Sequence, residues 1–209
     1  GFLDSLERFN SRFRHPIERT HDRQRLQALK ERVSPMILRR VKGQVAQELP
    51  PKTEIIRMVE LGTAQRDLYE TVRLAVDQQV RKSISDNGFK RSRIMVLDAL
   101  LKLRQVCAHP HLLSLPEAKK LRHAAKLEQV MDLLSELLEN GRRVLIFSQF
   151  VKMLEIIETR LQAADIRYSK LTGRTRNRDQ AIEKFQSGEV PVFLISLKAG
   201  GVGLNLTAA

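Results

Sequence analysis

The stretch GRRVLIFSQFVKMLEIIETRLQAADIRYSKLTGRTRNRDQAIEKFQSGEVPVFLISLKAGGVGLNLTAA, residues 141–209, decides the fold. Three short runs rich in Val, Ile, Leu and Phe (VLIF, IRYSKL and VPVFLIS) each lead into a helix-period segment or a Gly-rich turn. Near-continuous apolar strands alternating with helices mark a parallel sheet covered on both faces, an α/β architecture. Ligands of such sheets sit beyond the carboxyl ends of the strands. Here those ends carry Ser148-Gln149, Thr172-Gly173 and Ser196-Leu197-Lys198-Ala199-Gly200-Gly201. Small, hydroxylated, Gly-rich tips suit phosphate, because bare backbone N–H groups must approach the anion closely.

The preceding chain is mostly helical. Leu3, Leu6, Phe9 and Phe13 predict a helix over residues 3–14, ended by Pro16. A second helix is expected from Asp22 to Val33, and a short one opens at Ser34-Pro35 and runs through Met36-Ile37-Leu38. Arg39-Arg40-Val41-Lys42 is a basic cluster beside it, and Leu49-Pro50-Pro51-Lys52 reads as an extended connector. A domain boundary is expected there, giving a helical segment over residues 1–50 and the sheet domain over 51–209. TEIIRMVEL (53–61) has the β-branched content of an edge strand. A long helix starts at Thr63, is broken at Ser85-Asp86-Asn87-Gly88, and is followed by an apolar helix over Ile94–Val106 that Pro110 stops. Residues 116–122 read as a polar connector, and a helix over 125–140 ends at Gly141, well placed as a left-handed terminator. The region of about 63–121 is therefore a helical insertion attached to the sheet domain.

Composition narrows the partners. The chain has 37 Lys and Arg against 24 Asp and Glu, a net charge of +13, which favours an anionic partner, nucleic acid before membrane. The surplus is densest in residues 1–52, with 12 basic and 6 acidic residues, yet extends along the chain. One cysteine, Cys107, allows no internal disulfide and suits a reducing compartment. No apolar run is long enough to span a bilayer. The first residue is Gly, so a piece of a longer protein is expected.

Lys198-Ala199-Gly200-Gly201-Val202-Gly203-Leu204-Asn205 is the sharpest local signal. Its backbone can cradle phosphate and Lys198 can add a charge-assisted contact; equally, the glycines can simply permit a tight turn. Neither GxxxxGK[ST] nor GxGxxG occurs. Thr172-Gly173-Arg174-Thr175 has the same choice between a nucleic-acid phosphate contact and a helix cap beside a solvated Arg. Cys107, His109 and His111 lack a fourth ligand, so the sequence predicts no metal site.

Taken together, RVLIFSQF, LTGRT with Arg178 and EKF, and LISLKAGGVGLNLTAA resemble the second RecA-like lobe of the Swi/Snf-type DNA-translocating ATPases of helicase superfamily two. PMILRRVKGQVAQELPPKTE is similar to the family's inter-lobe region, and AQRDLYE, LLKLRQVCAHPHLL and AKLEQVMDLLSELL to its helical elements. The resemblance implies an ATP-driven motor that tracks along duplex DNA without separating the strands. By motif, Ser148, Gln149, Thr172, Gly173, Arg174, Ser196, Lys198 and Ala199 would contact DNA phosphates. Gly200, Gly201, Gly203, Leu204 and Asn205 would couple DNA to the nucleotide, and Arg39 and Arg40 would couple the lobes.

It further implies ATP and Mg2+ as cofactors of the full-length parent, with neither expected on this piece. The expected partners are double-stranded DNA, the first RecA-like lobe of the same parent and DNA-bound protein complexes, with no membrane. The compartment would be the nucleoid-containing cytoplasm of a microbe or the nucleus of a eukaryote. The magnesium-binding carboxylates, the phosphate-binding Lys and the arginine finger that phosphoryl transfer relies on are not all in these residues, so this piece alone is expected to be inactive. The alternative is a non-enzymatic nucleic-acid-binding module that keeps the lobe-two fold. A small-cofactor Rossmann enzyme is disfavoured by the missing GxGxxG and the basic charge.

Overall fold

The structure, a computed structural model, describes residues 2–38, 53–201, 204 and 206–209. It divides into two compact units, residues 1–56 and 57–209.

In the first unit, helix α1 (Leu6–Phe9) runs into a π-helical turn (Asn10–Arg14) and then α2 (His15–Thr20). Pro16 therefore does not end the helix, contrary to the sequence expectation. It falls in the first turn of α2, where a residue without an N–H is tolerated, and His21 ends the helix in a left-handed conformation (φ 52°). Asp22 caps α3 (Arg23–Val33), its carboxylate accepting from the Arg25 N–H at 3.0 Å. Phe13 is buried, with the guanidinium carbons of Arg12 and Arg32 at 5.7 and 5.8 Å from its ring centroid. The helix expected after Ser34-Pro35 is only a turn, in which Met36 and Ile37 both donate to the Val33 carbonyl.

The predicted strand over 53–61 does not form: these residues belong to no strand of the described sheet, and Ile55, Ile56 and Met58 are 75%, 87% and 89% exposed. β-branched composition gives a preference, but a strand also needs a neighbour to bond with, and none of the described strands lies alongside.

Helix α4 (Thr63–Ala108) is interrupted at Gly88, whose φ of 73° and ψ of 161° only glycine adopts readily. The interruption falls where the sequence places it. The two arms fold back on each other: Gln65 Nε2 donates to the Val106 carbonyl at 2.7 Å, and Leu68, Val72, Val76, Ala99 and Val106 share one core. Near the bend the Ser83 and Ser92 hydroxyls lie 2.9 Å apart, and Ser92 also donates to the Gly88 carbonyl. At the base Gln65 Oε1 accepts from the Ala125 N–H, tying the hairpin to the next long helix. A 3-10 turn (Pro110–Leu112) and a short helix α5 (Pro116–Lys120) follow, the latter within the expected polar connector.

Helix α6 (Ala125–Glu139) ends at Gly141 (φ 68°) in a Schellman arrangement, with Arg142 N–H on the Leu137 carbonyl and Gly141 N–H on that of Leu138. Then come β1 (Val144–Ser148), α7 (Val151–Ala163), β2 (Tyr168–Leu171), α8 (Arg178–Gln186), β3 (Val192–Ser196) and the one-turn α9 (Leu197–Gly200). The three strands are parallel in the order β1-β3-β2. Central β3 is buried throughout. Val192 and Leu194 pack against α6 and α7, whereas Phe193 and Ile195 pack against Phe185 of α8. Helices thus cover both faces, as the continuous apolar runs require.

Candidate nucleic-acid interface

Register builds the site. Ser148 pairs with Ser196 and Leu171 with Ile195, so Thr172 follows at the same level and all three strand tips end on one edge of the sheet. The first tip carries Ser148, whose hydroxyl accepts from the Phe150 N–H at 3.1 Å, and exposed Gln149, whose Oε1 accepts from Arg104 Nη2 at 2.5 Å.

The second tip is a closed turn. Thr172 N–H donates to Thr175 Oγ1 at 2.9 Å, Arg174 N–H to Thr172 Oγ1 at 3.2 Å, and Thr175 Oγ1 to the Lys170 carbonyl at 3.3 Å. Thr172 is buried, while Gly173 and Arg174 stand exposed. Gly173 has no positive φ, and nothing lies within 4 Å of where a Cβ would stand. The fold itself places no steric demand for glycine there. Asn177, not Thr172, caps α8, its side chain accepting from the Gln180 N–H.

The third tip, the turn α9, starts at Ser196, whose hydroxyl is buried without a hydrogen-bond partner among the described residues. Lys198 is exposed and Ala199 buried. The Ala199 carbonyl accepts from Arg178 Nη2 at 2.9 Å, so α8 holds the loop that follows β3. A Cβ on Gly200 would come 2.9 Å from Ile195 Cγ2 and 3.1 Å from Phe147, so this glycine serves close packing of α9 on the sheet. Leu204 packs into the apolar cluster on the α8 side. Arg39, Arg40, Gly203 and Asn205 lie outside the described residues.

Sequence reasoning singled out the tips and missed what steadies them. Arg104 and Thr175 are ordinary surface and turn residues by local pattern, and only the folded backbone sets them against Gln149 and Lys170. Beside the sheet, Glu158 of α7 accepts from Lys170 Nζ and from the Tyr168 hydroxyl. Burial alone would push the Glu158 carboxyl upward, but the bonds from Lys170 and Tyr168 hold it below its usual value.

His109 is buried, its Nδ1 accepting from the His111 N–H at 3.1 Å. Burial, aided by the adjacent His111 and opposed by Glu128, lowers its pKa to about 4. Burial pushes the Cys107 thiol up, against a smaller opposing effect of Lys126. Among the described residues no group of three or more His, Cys, Asp or Glu side chains is placed to hold a metal ion. Among those residues no helix is long and apolar enough to cross a membrane.

A parallel sheet wrapped by helices on both faces, with three hydroxyl-bearing tips on one edge, is the architecture of an α/β lobe. Residues 1–112 match the SNF2-related domain and residues 125–209 the helicase conserved C-terminal domain. The chain belongs to the SNF2 family, and its sheet unit is a C-terminal RecA-like domain of that family's ATPase core. YwqA of Bacillus subtilis, named for ATP-dependent helicase/translocase activity, is 34% identical over 100% of this chain and 23% of its own length. The Sulfolobus solfataricus SWI2/SNF2 ATPase core in complex with dsDNA is similar over 100% of this chain and 44% of that one, with a TM-score of 0.65 and 32% identity. The C-terminal domain of the same archaeal ATPase gives a TM-score of 0.60 and 33% identity over 71% of this chain and 65% of that one. The chain therefore spans about a quarter of the length of YwqA.

Proposed function

We propose that this chain is the C-terminal lobe of an ATP-dependent translocase that moves along double-stranded DNA without parting it. In this reading residues 1–50 join it to a first lobe, residues 51–209 form the second, and the hairpin within 63–121 is an insertion in it. Ser148, Gln149, Thr172, Gly173, Arg174, Ser196, Lys198 and Ala199 form the phosphate-contacting rim. Gly200, Gly201, Gly203, Leu204 and Asn205 belong to the loop linking DNA to nucleotide, and Arg39 and Arg40 to the joint between lobes.

The observation that supports this most is the register, which levels Ser148, Thr172 and Ser196 on one edge. Gly173 adds to it: an exposed glycine with no conformational or packing need of its own leaves room for a ligand's close approach. Exposed Arg174 and Lys198 supply charge, and neither forms an ion pair among the described residues. Ala199 and Thr172 are buried, so their contribution runs through backbone atoms and the turn they hold. The relatives' names associate the family with ATP, and one similar structure contains dsDNA.

The direct test is binding of a short DNA duplex by the 209-residue chain across a salt series. The log of the association constant should fall by about 0.9 per log unit of salt for each phosphate engaged, with little dependence on sequence. Affinity that ignores salt would overturn the rim. Joining the chain to its first lobe should yield ATP hydrolysis that rises when duplex is added. Hydrolysis indifferent to DNA, or none, would leave the non-enzymatic binding module as the better account.

A further inference from the structure

We propose that Arg104, on the second arm of the helical hairpin, is a positioning residue that sets which way the Gln149 amide faces. The inference rests on reading the rim as a DNA-phosphate interface.

Hydrogen-bond capacity fixes which end of the amide meets Arg104. A guanidinium carries only donors, whereas a Gln amide has one acceptor oxygen and one nitrogen with two donors. Arg104 Nη2 at 2.5 Å from the amide can therefore be met only by Oε1. With the oxygen turned toward Arg104, both Nε2 protons face elsewhere, and no protein acceptor engages them among the described residues. A phosphate oxygen is an acceptor and nothing else. Arg104 thus presents Gln149 in the one orientation that an anion can use. Free of it, the exposed side chain would rotate and offer its oxygen as readily as its nitrogen.

Arg104 is suited to this task by where it stands. Its neighbour Val106 is fully buried, and the Val106 carbonyl is tied to Gln65, whose own oxygen is tied to Ala125 at the start of α6. The arm is thus clamped to the sheet domain two residues from Arg104. Between this arm and β1 lies a cleft of about 550 Å³, walled by Leu100, Leu103, Phe147 and Phe150, with Arg104 and Lys126 as its charged groups and no carboxylate in its lining. No acid competes with Gln149 for the guanidinium there. The hairpin and the first strand tip are 45 residues apart in sequence and joined through this bond. Tilting the hairpin would consequently alter the rim, giving the helical insertion a route to modulate the grip on DNA.

The experiment is a double-mutant cycle, Arg104→Ala, Gln149→Ala and both together, read as duplex affinity at several salt concentrations, alongside NMR of the Gln149 side-chain amide without DNA. Either single change should weaken binding about fivefold, as expected for one lost hydrogen bond, and the double change should be no worse than either. Without DNA, Arg104→Ala should move the Gln149 amide protons to the positions of a freely rotating side chain. Losses that multiply, with the salt slope of Arg104→Ala reduced by about 0.9, would make Arg104 a separate phosphate contact and overturn its positioning role. An unmoved Gln149 amide would overturn it regardless of DNA. An amide shift on Arg104→Ala together with no duplex binding by the unmutated chain would instead overturn the DNA reading, and with it phosphate as the ligand of Gln149.

Discussion

Arg178 Nη2 reaches across 21 residues to the carbonyl oxygen of Ala199 at 2.9 Å, joining the first turn of α8 to the loop after β3. Two of the three strand tips are thus held by an arginine from a neighbouring helix: Arg104 at Gln149 and Arg178 at Ala199. Arginine suits both places, because its charge does not titrate and its donors are fixed in a planar fork.

Arg178→Ala should therefore loosen the third tip. A partly buried, charge-assisted bond of this kind is worth about 1.5–3 kcal/mol. Amide exchange across residues 197–201 should accelerate while β3 itself stays protected. Unchanged exchange there would mean that α9 is held by Gly200 packing alone.

Gly173 and Gly200 should respond in opposite ways to alanine. Gly200→Ala drives a methyl to within 2.9 Å of Ile195 and 3.1 Å of Phe147, and should cost about 1–3 kcal/mol in urea unfolding. Gly173→Ala meets open space and should change stability by less than about 0.5 kcal/mol. If the rim binds DNA, the same Gly173→Ala chain should nonetheless lose duplex affinity. Retained affinity would remove Gly173 from the contact.

Lys198→Ala, made in the parent joined to its first lobe, should weaken the stimulation of ATP hydrolysis by duplex about fivefold while leaving DNA-free hydrolysis alone. Lys198 is exposed and reaches into no core, so folding should be unaffected. Stimulation at the unmutated level would take Lys198 out of the coupling role.

His109 should give stability a pH dependence. Buried and beside His111, it stays neutral down to about pH 4, whereas an unfolded chain takes up the proton near 6.5. Its contribution is complete above pH 6.5 and is lost as the pH falls toward 4, by roughly 3 kcal/mol in all. Urea midpoints at pH 7, 5.5 and 4.5 should fall accordingly. His109→Asn keeps an acceptor near the His111 N–H but cannot titrate, and should flatten that part of the profile.

Glu158 adds a lower limb. Despite its burial, the bonds from Lys170 and Tyr168 hold its carboxyl below the ordinary value of 4.5. The stability it supplies is present above that value and disappears as the pH falls through the depressed one. Glu158→Gln should lower stability at neutral pH and shrink the loss seen on further acidification. An acid limb identical in the mutant would show that the Lys170 pairing contributes nothing measurable.

Local pattern in the sequence determined much of this molecule. The apolar runs at 144–148 and 192–196, the break at Gly88 and the left-handed end at Gly141 all follow from side-chain periodicity and backbone freedom within a few residues. The tips at Gln149, Thr172 and Lys198 could be named for the same reason. What the tertiary structure decided was everything that joins distant residues. The order β1-β3-β2 puts the last strand in the middle and so sets Ser148 and Thr172 on either side of Ser196. Residues 53–61 have strand composition but no described strand to pair with, and Pro16 is carried within a helix by the turn before it. Arg104 reads as a surface charge, and Arg178 as one residue of a motif, until the hairpin and α8 bring them to Gln149 and Ala199. Periodicity is a property of neighbours along the chain; a hydrogen bond between residues 104 and 149 exists only after the intervening chain has chosen where to pack.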